Sequence, residues 1–222
     1  MIVHISQPRL YPHLSYLEKV FSADLFVVLD DLPIKPELFE RRNRYFNSSA
    51  MASRWLTVPT SKGEEFRHTR ILDLDFAAKH RRILYDNYLR APHFDDSLLM
   101  FLVPDPVGDS FLDYYMDSIR RVSDVLLPGS CLPRIGFSSS AGSCNTGVQR
   151  LNDILSYYNA DVYLSGSAGA EYIHGNCIVP VTFRDHRDEV SRFHTNPLCD
   201  DMLMYIDTIF NCGVEFTRGL LK

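Results

Sequence analysis

Two apolar strands joined by one amphipathic helix fill the first 31 residues, and this arrangement constrains the fold most strongly. Residues 1–6 predict a strand, and the run LFVVL at 25–29 predicts a second strand that is covered on both faces. Between them, Pro12 opens a predicted helix whose apolar stripe continues to about Ser22. A strand, a helix and a strand this close together form a βαβ unit, so we expect a right-handed crossover and parallel strands.

Strands and helices continue to alternate along the chain. We predict strands at 54–58, 70–74, 134–138, 161–164 and 177–183, and helices at 75–88, 110–126, 147–157 and 200–210. This alternation predicts an α/β fold with a mainly parallel sheet and helices on both faces, a Rossmann-like three-layer arrangement. We expect a single domain over residues 1–222, with residues 36–110 forming an insertion or smaller lobe.

Charge and composition narrow the range of partners. The net charge of −5 and the pI near 5.9 argue against binding to nucleic acid or to an anionic membrane surface. No apolar run approaches the roughly 18 residues of a membrane span, and no secretory signal is visible. The five cysteines are scattered without a CxxC pair, which is typical of reduced thiols in a cytoplasmic protein.

Polar residues follow three of the predicted strands, where open α/β sheets bind their ligands. These segments are Gln7–Tyr16, Asp30–Asp31 and Ser165–Gly169, the last followed by Glu171 and Tyr172. The turn Ser165-Gly166-Ser167 could hold an anion with its backbone amides and the following helix N-terminus. Small residues are equally typical of a tightly packed turn, so both interpretations stay open. Gln7 and Asp30 are candidate catalytic residues, and Tyr172 is a candidate substrate ligand.

His13 and Tyr16 lie three positions apart and therefore share a helix face. Some nucleotide-binding α/β enzymes hold a triphosphate with a strand–turn–His-x-x-His layout, and Tyr16 would stand in the second histidine's place. Alternatively, Tyr16 packs in the core and His13 is a solvated residue of the first turn.

Two further groups of side chains are candidates. The cluster Arg41–Arg44 offers Arg42, Asn43 and Arg44 as phosphate or carboxylate ligands, although such runs are often a solvated face. His80 could act as a general base, or could be an ordinary helix histidine. No metal site is expected, because neither HExxH nor a cysteine pair with ligand spacing occurs, and GxSxG, P-loop and GxGxxG patterns are absent as well.

The order of several motifs resembles that of the WbqC-like family of bacterial proteins. QPRLYPHLSY at 7–16 matches the family's opening motif at Gln7, Pro8, Pro12 and Tyr16, while His13 and Ser15 replace its usual Trp and Gly. The other similar segments follow in the expected order: ADLFVVLDD, RRNR, WLTVP, KH, YLRAPHF, ADVYLSGSAGAEYI and IDTIFNCG. RDHRDEV at 184–190 departs from a family segment that often carries proline and tyrosine.

The resemblance implies a role in O-antigen or other surface-polysaccharide synthesis. The implied reaction is acyl or aminoacyl transfer, such as glycyl transfer, to an amino-sugar nucleotide by a transferase or ligase. Arg42, Arg44 and the 165–169 turn would then contact the diphosphate, and His13, Asp30 or His80 would act as the base. The expected partner is thus a small molecule, a sugar nucleotide.

Two other functions remain open at this point. One is an ATP-dependent nucleotidyl-transfer or adenylating enzyme, and the other is a non-catalytic binding protein of a polysaccharide assembly complex. The sequence leaves the cofactor, the acyl donor, the sugar and the oligomeric state undefined.

Overall fold

The strands and helices are taken from a computed structural model, which describes residues 1–35, 38–129, 132–166, 169–173, 175–184, 196 and 202–221, and only the backbone of Glu171, Tyr172 and Arg184. The strands are β1 (Ile2–Ser6), β2 (Leu25–Val28), β3 (Arg42–Asn47), β4 (Ala52–Thr57), β5 (Arg134–Phe137), β6 (Val162–Gly166) and β7 (Val181–Arg184). The helices are α1 (Leu14–Phe21), α2 (Phe76–Tyr88), α3 (Asp96–Leu102), α4 (Phe111–Leu126), α5 (Gly147–Tyr157), α6 (Ala170–Ile173), α7 (Tyr205–Cys212) and α8 (Val214–Leu220).

The central sheet has five parallel strands in the order β5-β2-β1-β6-β7. Val3 of β1 pairs with Leu25 of β2 on one side, and Ile2 pairs with Val162 of β6 on the other. Strands β2 and β5 lie on one side of β1, and the later strands β6 and β7 lie on the other side. The boundary between β1 and β6 is therefore the topological switch point of the sheet. The prediction of a parallel α/β sheet is confirmed.

Alternate residues of β1 and β2 face opposite sides of the sheet, as strand geometry requires. Val3 and Val27 pack with Ile154 of α5 in one buried cluster. Phe26 packs in the other cluster with Leu17 of α1, together with side chains of α2, α4 and α7. Helices thus cover both faces, and the predicted three-layer arrangement is confirmed.

Residues 38–110 contain the antiparallel β3–β4 hairpin, α2 and α3. Tyr45, Leu56 and Phe76 from this region belong to the same buried cluster as Phe26 of the sheet. The hairpin and α2 therefore share the hydrophobic core that covers this face of the sheet. The assignment of this region as a lobe of one domain stays a prediction.

Several boundaries differ from the sequence expectations. The predicted strand at 70–74 is wrong, because the segment makes only single bridges at Arg70 and Ile71, and Leu72 is 68% exposed. The Arg-rich segment contains β3, which was not predicted because the charged residues of this segment did not suggest a strand. Helix α1 begins at Leu14 rather than at Pro12, and α3 and α8 were not predicted.

At the C-terminal end, the last predicted strand is shorter than expected, since β7 begins at Val181. Helix α7 begins at Tyr205, and the predicted start at Asp200 lies outside the described residues. Within the described chain, none of the helices combines the length and apolarity needed to cross a membrane.

Candidate functional site

The carboxyl ends of four neighbouring parallel strands lie side by side at the same end of the central sheet, which we call its carboxyl edge. In sheet order, this edge carries Ser138 after β5, Asp30 after β2, Gln7 after β1 and Ser165 within β6. Three of these positions were candidates from the sequence, and the structure brings them to the same edge. Ser138 and Ser139 were missed, although the small-residue run SSSAG directly after a strand is a visible signal.

Asp30 is buried and is held by the serines that follow β5. Its Oδ1 accepts a 2.9 Å hydrogen bond from the backbone N–H of Ser139, and its Oδ2 accepts one of 2.8 Å from the Ser139 hydroxyl. The adjacent Asp31 accepts hydrogen bonds from Arg150 of α5 and from the Ser138 hydroxyl. The two carboxylates therefore tie the end of β2 to β5 and α5, and Asp30 is engaged in structural bonds.

The Tyr16 hydroxyl forms hydrogen bonds inside the protein. It donates a 3.0 Å hydrogen bond to the backbone carbonyl of Gln7, and it lies 2.7 Å from the Tyr115 hydroxyl. Burial raises the pKa of Tyr16 well above its usual value, so the phenol stays protonated. Of the two alternatives for Tyr16, packing in the core is the one that its burial supports.

His13 occupies the N-cap position of α1, although its side chain makes no capping hydrogen bond to the helix. Arg9 donates to its Nε2 over 3.0 Å, and a guanidinium can only donate, so the ring proton is on Nδ1 and points to Ser15 Oγ at 2.7 Å. Burial, with the positive charges of Arg9 and Lys19, lowers the pKa of His13 to about 3. The only lone pair of this imidazole thus already accepts a hydrogen bond.

A group of cationic and aromatic side chains connects the turn after β1 to the hairpin. Arg42 and Arg44 place their Cζ atoms 4.1 and 4.6 Å from the centroid of the Trp55 ring. The ring centroids of Phe39 and Trp55 are 5.5 Å apart, and Arg9 Cζ lies 5.5 Å from the Phe39 ring centroid. We call these five residues the arginine–aromatic cluster. Its aromatic members were missed from the sequence, although Trp55 is the single tryptophan of the chain.

Gln7 lies next to this cluster. A small cavity of about 50 Å³ separates the turn Gln7–Arg9 from Leu38–Glu40. The first strand end and the Arg-rich segment, which were separate candidates in the sequence, are therefore neighbours in space.

Asn43 points to the opposite side of β3 from Arg42 and Arg44, and it is fully buried. Its side-chain amide donates to the carbonyl oxygens of Leu10 and Tyr11, and its Oδ1 accepts from the N–H of Arg44. The donors and the acceptor of Asn43 are used within the protein, so the bonds of Asn43 support a structural role.

His80 is buried on α2, at a second cavity of about 310 Å³ that Trp55 also lines. Its Nε2 lies 3.2 Å from the carbonyl oxygen of Thr57, so Nε2 carries the proton and Nδ1 is an acceptor. Among the described residues, Nδ1 has no hydrogen-bond partner. Burial lowers the pKa of His80 to about 4, against a smaller raising effect of the Thr57 carbonyl.

The 165–169 turn is closely packed. Ser165 is buried and donates to the carbonyl of Gly166, and a Cβ on Gly169 would lie 2.2 Å from Ser165 Oγ. These contacts support the packing interpretation, while anion binding stays a prediction. Ser167 and the Tyr172 side chain lie outside the described residues. In the described part of the chain, no three His, Cys, Asp or Glu side chains come close enough to hold a metal ion.

The parallel sheet, its switch point and its polar strand ends define a three-layer α/β protein with a candidate ligand-binding edge. The chain belongs to the WbqC-like protein family, whose model matches residues 7–218. It is 24% identical over 233 residues to the uncharacterized protein Rv1507c of Mycobacterium tuberculosis, which covers 96% of this chain and 94% of the relative. No solved structure shows a significant match.

Proposed function

We propose that this protein is a transferase of bacterial surface-polysaccharide synthesis. It binds an amino-sugar nucleotide and transfers an acyl or aminoacyl group, such as glycyl, to the amine of the sugar. The observation that carries the proposal is the contact of Arg42 and Arg44 with Trp55, beside the turn that follows β1.

This contact suits a diphosphate. A guanidinium that stacks on an aromatic ring still presents N–H donors at its edge, and those donors match phosphate oxygens in bidentate geometry. Arg9 adds a third positive charge, with its Cζ 5.5 Å from the Phe39 ring centroid. The arginine–aromatic cluster thus contains three arginines, in a chain whose net charge is −5.

Acyl transfer to an amine forms a bond from the amine nitrogen to the acyl carbon, breaks the bond from that carbon to the leaving group, and releases one proton from nitrogen. Three residues are candidate bases. The lone pair of His13 accepts a hydrogen bond from Arg9, and both carboxylate oxygens of Asp30 accept hydrogen bonds from Ser139. His80 alone of these three has an acceptor atom without a described partner. Burial lowers the pKa of His80 to about 4, so its imidazole is neutral near pH 7.

The fluorescence of Trp55 tests the proposal, because the chain has no other tryptophan. Titration with UDP-glucosamine, and with UDP, GDP, CDP, dTDP and ADP, is expected to give a saturable change for at least one nucleotide. The Arg42→Ala/Arg44→Ala double variant should bind that nucleotide at least about tenfold more weakly, since charge-assisted hydrogen bonds are lost.

Arg54→Ala is the matched control, because Arg54 is an exposed arginine on the same hairpin, one residue before Trp55. It should bind like the wild type. Absence of a saturable change with every nucleotide, or equal affinities of the double variant and the wild type, would contradict the proposal. Mass spectrometry of reactions with acyl and aminoacyl donors then separates a transferase from a binding protein.

No observation on the described residues favours ATP-dependent nucleotidyl transfer. Tyr16, in the second position of the His-x-x-Tyr layout, is buried and donates to the Gln7 carbonyl.

A further inference from the structure

A third cavity, of about 860 Å³, lies where the turn after β3 meets the C-terminal ends of α2 and α7. Phe46 of β3, Leu89 and Pro92 after α2, and Asn211 of α7 are among the residues that line it. The described residues of the carboxyl edge and of the arginine–aromatic cluster do not line it. Its volume is within the range of about 300–1,000 Å³ that is typical of small-molecule sites.

Asp86 and Arg90 are the two charged residues among the described ones that line this cavity. Both are exposed, and neither makes a hydrogen bond or an ion pair with another described residue. An aspartate and an arginine four positions apart on a helix can pair and stabilise it, but these two do not pair. Both charges are therefore available to a ligand in the cavity.

The backbone places these two charges close together. Leu89, which lies between them, keeps helical dihedral angles of φ −48° and ψ −30°, and its N–H donates to the Tyr85 carbonyl. Asp86 and Arg90 are thus about one helical turn apart, a spacing at which Cβ atoms lie roughly 5–6 Å from each other. A ligand that contacts both side chains needs a positive and a negative group only a few bonds apart.

The surroundings of Asp86 favour a cation. Asp86 lies in the last turn of α2, which contains no basic residue, and the negative end of the helix dipole is unfavourable for a carboxylate. Cys212, the last residue of α7, also lines the cavity, so a second helix ends there. An ammonium group next to Asp86 would balance its charge and interact favourably with both helix ends.

Arg90 and the apolar walls are suited to the rest of such a ligand. The guanidinium of an arginine stays charged at neutral pH and can donate two parallel hydrogen bonds to one carboxylate. Phe46, Leu89 and Pro92 give the cavity an apolar side. An apolar group of the ligand that lies against them would be removed from water, which favours binding.

We propose that this cavity binds a free α-amino acid with an apolar side chain. Asp86 accepts hydrogen bonds from the ammonium group, Arg90 donates to the carboxylate, and the side chain lies against Phe46 and Pro92. An α-amino acid carries its two opposite charges on one carbon atom, which matches the short separation of Asp86 and Arg90. The site goes beyond the proposed function and does not depend on it, because it shares no described residue with the arginine–aromatic cluster.

Thermal denaturation with each of the proteinogenic L-amino acids, at about 10 mM, identifies the ligand, because a ligand that binds the folded state raises the melting temperature. At least one amino acid with an apolar side chain should raise it and should bind saturably in calorimetry. The amine that lacks the carboxylate of this amino acid, and the acid that lacks its ammonium group, should each bind about tenfold more weakly, since a charge-assisted hydrogen bond is lost.

Two substitutions test the two charges separately. Asp86→Asn and Arg90→Gln should each weaken binding of the amino acid about tenfold. Asp86→Asn should leave the affinity for the acid without an ammonium group unchanged, and Arg90→Gln should leave the affinity for the amine unchanged. Both variants should unfold close to the wild-type temperature, since the replaced side chains have no described partner.

Arg82→Gln is the matched control, because Arg82 is an exposed arginine of α2 that does not line the cavity. It should bind the amino acid like the wild type. Absence of stabilisation by every amino acid, or equal affinities of the wild type, Asp86→Asn and Arg90→Gln, would overturn the site. An equal loss of affinity in Arg82→Gln and Arg90→Gln would also overturn it. The nucleotide titrations are separate measurements, so this site and the proposed function can fail independently.

Discussion

The side-chain amide of Asn43 donates a 2.9 Å hydrogen bond to the backbone carbonyl of Tyr11, whose φ is +40°. Bulky residues rarely adopt this left-handed conformation, and it persists only where the surroundings hold it. A second bond from the same amide to the Leu10 carbonyl fixes the preceding residue. The β3 strand thus holds the turn that carries Gln7 and Arg9.

Asn43→Ala should lower the free energy of unfolding by roughly 2–4 kcal/mol, because two buried carbonyl oxygens lose their donor. Urea denaturation measures this change. Asn47→Ala on the same strand is the control, since its side chain serves an exposed turn at Ala50 and the expected loss is below about 1 kcal/mol. Equal losses in the two variants would contradict the role of Asn43.

Asp30 and Ser139 should be energetically coupled. Asp30→Asn should lower the free energy of unfolding by about 2 kcal/mol, because charge-assisted hydrogen bonds from Ser139 are lost. Ser139→Ala in that background should cost less than it does alone, by about 1 kcal/mol in a double-mutant cycle. Strictly additive effects would show that the two residues do not depend on each other.

Gly169→Ala should destabilise the protein by about 1–3 kcal/mol, the usual cost of overpacking. The new Cβ would lie 2.2 Å from Ser165 Oγ and 2.9 Å from Ile173 Cδ1. Thermal or urea denaturation of Gly169→Ala/Ser165→Ala should show partial recovery, because the nearer of the two clashes is removed. A double variant no more stable than Gly169→Ala would argue against this packing.

Protonation of His4 should destabilise the protein in mild acid. His4 is buried on β1 and donates from Nδ1 to the Leu164 carbonyl, and burial lowers its pKa to about 4 from a usual value of 6.5. The unfolded chain therefore binds a proton between pH 6.5 and 4 that the folded chain does not, so stability falls as the pH falls through this range. For His4, the loss by pH 4.5 is about 2–3 kcal/mol.

Urea denaturation at pH 7 and pH 4.5 measures this loss. His4→Asn keeps a donor toward Leu164 but cannot titrate, so its stability should change less between the two pH values than that of the wild type. His68→Asn is the control, because His68 has a 66% exposed side chain. An unchanged pH dependence in His4→Asn would contradict the assignment.

The sheet could be predicted from the sequence because its signals are local. The first strand, helix and strand lie within 28 residues, and their apolar patterns are uninterrupted. The predicted strand at 70–74 is wrong because strand formation also needs a neighbouring strand to pair with. The alternation of apolar residues in this segment does not show whether such a neighbour exists.

The arrangement of the candidate site depended on contacts that a sequence pattern does not contain. Asp30 meets Ser139, which lies 109 positions away, and Arg42 meets Trp55 only because the hairpin turns back on itself. Strand alternation places Asn43 inside and its two arginine neighbours outside, but the charge of this segment suggested a solvated face. Once a hairpin is assumed at 42–57, these opposite roles follow from the two-residue period.

The position of β1 in the middle of the sheet also affects how the chain can fold. One edge of β1 pairs with β2, about 22 positions later, whereas the other pairs with β6, about 160 positions later. During synthesis, the second edge of this apolar strand therefore stays unpaired until β6 has been made. Such long-range closure slows folding and leaves a strand edge open to association with other chains. The most central strand of the sheet is thus the first to be synthesised and among the last to be completed.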